Sequence, residues 1–351
     1  MDLPLELDLA PMLAKLGNEL PEGPGWSYEP KWDGFRALVF RDGSSVQIQS
    51  RDQRTLERYF PELPDLLIGH LPARCVVDGE IIIPGPEGLD FGSLLQRIHP
   101  AASRVNMLAA KTPSSFVAFD LLALGNDAFL DEPLEKRRVR LTEELGSDDG
   151  DVTKAIRNLA TSGRNLRRFM TGTWTSDVTT AQSWMDDFER IGLDGIVAKQ
   201  LDSTYQPNKR GWVKVKQHRT ADCVIGGYRL SKAGDGIGSL LLGLYNAAGD
   251  LHYVGHTSSF KAPERREILK KLKPLEGGRS FGGARAPGGP SRWTGGKDTS
   301  WVPLTPTLVC EVGYDRMLGE RFRHATTFLR WRPERSPESC TFDQLPEFLR
   351  P

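Results

Sequence analysis

Eight residues near the start of the chain, Glu29-Pro-Lys-Trp-Asp-Gly-Phe-Arg36, constrain the fold more than any other stretch. A lysine closes a short extended run, Asp33-Gly34 follows almost at once, and Phe35-Arg-Ala-Leu-Val-Phe40 reads as a strand. A lysine in such a place is held by rigid neighbours and faces a cleft. Taken alone, the segment also fits a surface lysine beside an Asp-Gly turn. The choice rests on whether the rest of the chain supplies partners for a nucleophilic amine.

The lysine segment opens a hairpin, with strands at Phe35 to Arg41 and Ser45 to Ser50 joined at Asp42-Gly43. Further strands are expected at Cys75 to Ile83, carrying Asp78 and Glu80, at Ser115 to Leu122, with Phe119 and Asp120, and at Gly192 to Lys199. Trp212-Val-Lys-Val-Lys216 alternates, which places Lys214 and Lys216 on one face. Helices are expected at Asp90 to Ile98, Pro133 to Leu145 and Thr180 to Ile191. The elements mix without a regular βαβ rhythm, so the expected class is α+β with mainly antiparallel sheets. From about residue 220, five short strands and one helix, Pro263 to Leu272, suggest a small closed barrel of OB type. Gly277 to Gly296, rich in Gly and Pro, is expected as a surface loop. The expected domains are therefore 1–219 and 220–351.

At 351 residues the chain is long enough for two cores. Lys plus Arg equals Asp plus Glu, at 46 each, so any case for nucleic acid must rest on local patches. Cys75, Cys223, Cys310 and Cys340 lie far apart, which argues against a zinc module or a disulfide framework and for buried thiols in a reducing compartment. The acidic N-terminus has no signal-peptide pattern and no run approaches membrane-spanning length. A cytoplasmic protein is expected.

A nucleophilic Lys31 needs a free lone pair, so its pKa must fall, and nearby cations would favour the neutral amine. Lys199, Lys214 and Lys216 could supply that field and bind a polyphosphate; a solvated basic strand face is the other reading of the same residues. Mg²⁺ takes oxygen ligands, often one or two carboxylates plus phosphates. Glu80 and Asp194, each beside a glycine at a strand boundary, are the candidates. Neither a Walker-type loop nor the protein-kinase signature set occurs, so ATP would be used through attack on its α-phosphate by a protein amine.

Lys31-Trp-Asp-Gly-Phe-Arg36, Ser50-Arg51, Asp78-Gly-Glu80, Phe119-Asp120, Asp194-Gly-Ile-Val-Ala-Lys199, Lys214-Val-Lys216 and Arg332-Pro-Glu-Arg335 stand in the order seen in covalent nucleotidyltransferases. With Tyr205-Gln-Pro-Asn-Lys-Arg-Gly-Trp212 included, the chain most resembles bacterial stand-alone ATP-dependent DNA ligases of the C type, close to the ligase module of end-joining enzymes. The resemblance implies a nucleotidyltransferase domain (ATP-grasp-like antiparallel sheets with helices) followed by an OB domain that swings about a hinge near His218 to Asp222. It implies a lysyl–AMP intermediate on Lys31, transfer of AMP to the 5′-phosphate of a nick, and sealing by the 3′-hydroxyl. Asp33 and Lys216 would assist catalysis. Glu29 would take the adenine amino group and Phe119 would stack on the ring, while Arg36 and Arg51 would contact ribose or the nick phosphate. Glu80 and Asp194 would serve sugar and metal, Mg²⁺ or Mn²⁺; Lys199, Lys214 and Lys216 would bind phosphates. Arg332 and Arg335 would meet the pyrophosphate of ATP, and Arg316, Arg321, Arg323 and Arg330 the DNA backbone.

Two positions depart from the family pattern. Asp194 stands where Glu is common, and Arg332-Pro-Glu-Arg335 stands where Arg-x-Asp-Lys is usual, which changes reach and geometry. An RNA ligase, a capping-type enzyme and a non-enzymatic OB-type nucleic-acid binder are the alternatives. The expected partners are nicked double-stranded DNA and, for end-joining steps beyond sealing, other DNA-repair proteins; a monomer is expected.

Overall fold

The computed structural model describes residues 1–86, 88–147, 150–161, 168–187, 191–217, 219–282, 287 and 300–346. The chain folds as two compact units, Met1–Gln217 and His218–Pro351.

In the first unit β1 (Leu13–Gly17), β2 (Trp26–Pro30), β3 (Phe35–Asp42) and β4 (Ser45–Ser50) precede α1 (Leu63–His70). Then come β5 (Arg74–Ile82), the small hairpin of β6 (Pro84–Gly85) and β7 (Gly88–Leu89), α2 (Phe91–Gln96), α3 (Ala102–Lys111), β8 (Ser115–Leu124) and β9 (Asp127–Ala128). α4 (Leu134–Leu145), α5 (Val152–Thr161), β10 (Phe169–Thr171), α6 (Val178–Asp187), β11 (Ile196–Gln200) and β12 (Arg210–Val215) complete it. One sheet runs β10-β8-β5-β3-β4 with β9 added beside β8, the other β1-β12-β11-β2. Most pairs are antiparallel; β10 with β8 and β1 with β12 are parallel. β5 and β8 lie inside the larger sheet and are buried almost throughout. That is why Cys75-Val-Val and Phe116-Val-Ala-Phe are continuous apolar runs with no alternation. The chain starts α2 where its sequence signals a cap: the Asp90 carboxylate accepts the Ser93 amide at 2.8 Å.

The second unit holds β13 (Arg219–Leu230), β14 (Ile237–Tyr245), β15 (Leu251–Thr257), α7 (Ala262–Leu272), β16 (Val302–Pro303), β17 (Val309–Tyr314), β18 (Met317–Leu318), β19 (Arg321–Phe322) and β20 (Thr327–Trp331). The closed OB barrel expected from the strand spacing is not what forms. The sheet runs β15-β14-β13-β17-β20, with β16 added beside β13, and it ends on two edges. Among the described residues no strand ladder joins β15 to β20 to close the sheet into a ring. An isolated parallel bridge, Thr257 with Thr326, is made just before β20 begins. Closure depends on strand tilt and stagger, and five short amphipathic strands with a helix carry the same hydropathy pattern whether or not the sheet closes. The α+β class with antiparallel sheets holds. Cys223, Cys310 and Cys340 are buried in this unit's core and Cys75 in the first unit's.

Most of Gly277 to Gly296, and His218 of the expected hinge, lie outside the described residues. Among the described residues no helix is long and apolar enough to cross a membrane.

Candidate active site

The first unit's two sheets each supply one wall of a cavity of about 460 Å³. On the smaller sheet, Glu29 of β2 and Lys214 of β12 both pair with Val197 of β11, so the three share a cross-strand row. Lys199 lies two residues beyond Val197, on the same face. On the larger sheet Arg36 pairs with Glu80. Glu29, Lys31, Arg36, Arg51, Glu80, Phe119, Lys199 and Lys214 all line this one cavity. They come from stretches far apart in the chain.

Lys31 sits one residue past the end of β2, held by two backbone hydrogen bonds. Its amide donates to the Gly195 carbonyl at 2.8 Å, and its carbonyl accepts the Asp194 amide at 2.9 Å. Two glycines permit this placement. At Gly34 a Cβ would stand 2.2 Å from the Ile81 carbonyl oxygen. Gly195 has φ +129° and would bring a Cβ within 2.1 Å of the Val215 carbonyl oxygen.

The Lys31 Nζ donates to Asp194 Oδ2 at 2.6 Å, and Lys216 Nζ reaches the same oxygen at 2.8 Å. Burial alone would push the Lys31 ammonium down, but Asp194, helped by Glu80 and Asp33, reverses this and holds it above the usual lysine range. The lowered pKa expected for Lys31 is therefore not found in this arrangement. The effect appears on Lys214, which burial, then Lys31 and Lys216, push down. Asp194 resists burial and is held at about 2 by Lys31 and Lys216. Glu80 is pushed up to about 7 by burial, which Lys31 and Arg36 only partly offset.

Further in, Glu29 is buried and takes the Lys199 ammonium at 2.6 Å on one oxygen and the Arg138 guanidinium on the other. Lys199 is buried too, 4.5 Å from the Phe119 ring centroid and 4.3 Å from that of Trp212. It therefore sits with Glu29 and Phe119, while Lys216 sits with Lys31. The Arg36 guanidinium forks onto the buried Asp78 carboxylate, which also accepts the Tyr205 hydroxyl at 2.6 Å. Arg51 is exposed at the cavity mouth, 3.5 Å from Asp52. Asp33 is buried beside Lys31.

The remaining candidates belong to the second unit. Arg332 pairs with Asp222 at 2.9 Å and Glu311 at 3.4 Å, and Arg335 reaches Asp222 at 3.4 Å. Arg321 is on the short hairpin of β18 and β19, flanked by Arg316 and Arg323. Arg330 lies on edge strand β20 and pairs with Glu311 at 2.6 Å.

Arg137 and Arg138 were not singled out in the sequence. Both are buried on α4, where Arg137 forks onto Asp120 at 2.8 and 2.9 Å. The signal was present: they stand three and four residues after Leu134 and before Leu141, on the stripe a core-facing helix fills with apolar groups.

Two family models match. The ATP dependent DNA ligase domain covers residues 11–216 and the ATP dependent DNA ligase C terminal region covers residues 233–335. DNA ligase C1 of Mycolicibacterium smegmatis is 51% identical over 98% of this chain and 96% of its own. DNA ligase C of Mycobacterium tuberculosis is 48% identical with the same coverage. A solved Lig E DNA ligase shares the fold at TM-score 0.51 and 16% identity, over 92% of this chain and 99% of that one. The RNA-ligase, capping and purely binding alternatives give way to these matches. The chain belongs to the bacterial stand-alone ATP-dependent DNA ligases of the C type, which use ATP to seal nicks in DNA repair.

Proposed function

We propose that Lys31 is the residue that carries AMP, and that the first unit performs adenylylation. The observation that carries this reading is the contact of the Lys31 ammonium with Asp194 in a cavity lined by further cations. Asp194 keeps the amine protonated in this arrangement, so the proton has to leave before Nζ can attack. Triphosphate charge then competes for Lys31, Lys214 and Lys216. The ammonium proton passes to solvent as the pair with Asp194 separates. Once neutral, Nζ attacks the α-phosphorus, an N–P bond forms, and the bond to the pyrophosphate oxygen breaks so that pyrophosphate leaves. Asp33, buried next to Lys31, holds the motif's turn and contributes negative potential. AMP then passes to the 5′-phosphate of the nick, and the 3′-hydroxyl displaces it.

Glu29 accepts the adenine amino group and Phe119 gives the ring an apolar face. Arg36 and Arg51 meet the ribose and the nick phosphate. Lys199, paired here with Glu29, stays with the base end, and Lys214 and Lys216 meet the phosphates. Glu80 and Asp194 fit a hard divalent cation: both are oxygen donors beside the phosphate-binding lysines. Two carboxylates are also what Mg²⁺ or Mn²⁺ needs when phosphates complete its shell. Among the described residues no group of three or more such side chains forms a closed metal cage. Bound there, the cation would neutralise charge on the phosphates.

The second unit supplies Arg332 and Arg335 to the pyrophosphate and Arg316, Arg321, Arg323 and Arg330 to the DNA backbone. The protein works as a monomer on nicked duplex, with other DNA-repair proteins preparing ends. A duplex with a 5′-labelled nick tests the assignment. Lys31→Ala loses ATP-driven sealing but still seals a nick that is already adenylylated; equal loss on both substrates would contradict it. Charge reversal at Arg321 and Arg323 weakens nick binding and lowers its salt slope by about one unit per lost phosphate contact. An unchanged slope would remove the hairpin from the DNA interface.

A further inference from the structure

We propose that Arg138 is a positioning residue for base selection, fixing the Glu29 carboxylate as an acceptor for the six-position amino group of the purine. This rests on the reading above that Glu29 meets the adenine amino group.

The Arg138 guanidinium is gripped from three sides. It donates to the Ser27 hydroxyl at 2.6 Å and to Glu29 Oε1, and it lies 4.5 Å from the Trp174 ring centroid. Ser27 and Glu29 are two apart on β2, so both side chains face the helix that carries Arg138. Glu29 Oε2 is taken by Lys199. With one cation on each oxygen, the carboxylate cannot rotate about its terminal bond without losing both contacts. Each oxygen keeps a further lone pair, and Glu29 lines the cavity.

The neighbouring Arg137 braces the other side of the same site. Its fork holds Asp120, the residue that follows Phe119. Two consecutive arginines of α4 thus fix the strand that offers a stacking ring and the strand that offers an acceptor. A carboxylate held in one orientation favours an amino group over a carbonyl oxygen or a bare ring hydrogen. A loosened one no longer places its acceptor opposite the six-position, so the amino group gains less and selectivity drops.

The test compares single-turnover adenylylation of the full chain by ATP, GTP and purine riboside triphosphate, which lacks the six-amino group. The variants are Arg138→Met, Arg138→Lys, Ser27→Ala and Glu29→Ala. If Arg138 acts through Glu29, the preference for ATP over purine riboside triphosphate falls about tenfold or more in Arg138→Met and in Glu29→Ala. Ser27→Ala, which removes one acceptor of the guanidinium and no charge, gives a smaller fall. Arg138→Lys, which keeps the charge but not the fork, lies between. A purely structural arginine would slow both nucleotides in parallel and leave their ratio unchanged, which overturns the proposal. If Glu29→Ala itself leaves the ratio unchanged, the amino-group reading of Glu29 fails and takes this inference with it. If only Glu29→Ala changes it, Glu29 stands and Arg138 does not. Should Arg138→Met not fold, the ratios of Arg138→Lys and Ser27→Ala decide between the two roles.

Discussion

The buried charged residues behind Glu29 and Phe119, here the inner end of the site, and those around Lys31, its outer end, are of the same kinds under opposite conditions. At the inner end Arg137 and Asp120 are both wholly buried, and Arg138, Glu29 and Lys199 nearly so. At the outer end the Lys31 and Lys216 side chains are 22% and 26% exposed and share one carboxylate oxygen. Inner pairs have no water to fall back on, so their geometry cannot change cheaply. Outer pairs can be exchanged for phosphate contacts when nucleotide arrives. On the proposed reading, one end recognises the base and the other lets charge move.

Stability is where the two ends should differ most. Arg137→Met leaves the Asp120 charge buried without its partner and should cost about 3–5 kcal/mol in denaturant unfolding of the first unit. Lys216→Met leaves Asp194 paired with Lys31 and should cost under about 1 kcal/mol. Equal costs would erase the distinction between the ends. A subtler difference lies in pH. Burial raises Glu80 from 4.5 to about 7, so the folded chain holds this proton more tightly than the unfolded one. The stabilising effect of the protonated carboxyl is full below 4.5 and is lost as pH rises through about 7. Over the same window ionised Glu80 becomes available to a cation, and adenylylation at fixed Mg²⁺ and ATP should rise. Glu80→Gln should flatten both the stability change and the rate change between about pH 5 and 8. A rate profile unaltered by the substitution would take Glu80 out of the outer site.

The outer end was far more legible in the sequence than the inner one, for a physical reason. Lys31, Asp33, Gly34 and Arg36 work through local geometry: a strand end, a turn, and a glycine where β5 comes too close for a side chain. Such constraints leave a short motif. Arg137 and Arg138 are defined by partners on β8 and β2, and a Glu, Lys and Arg-rich helix looks solvated until those partners are known. Only the Leu134 and Leu141 stripe hinted that these arginines face inward. The sign of the Lys31 shift was missed because the cations nearby were visible in the sequence, while the 2.6 Å approach of Asp194 was not. The barrel failed in a similar way. Strand existence in the second unit follows from alternation, but whether β15 meets β20 depends on tilt and stagger that alternation does not carry.

The most direct test of the account is transfer of label from α-labelled ATP to the protein. The protein is first treated with pyrophosphate to remove any AMP already bound, then incubated with labelled ATP and Mg²⁺ and denatured. Acid-labile label is expected on the unaltered chain and none on Lys31→Ala, whose fold is checked by its unfolding curve. Label that persists on Lys31→Ala, or no label on the pyrophosphate-treated chain with either Mg²⁺ or Mn²⁺, would contradict the assignment of Lys31 as the residue that carries AMP.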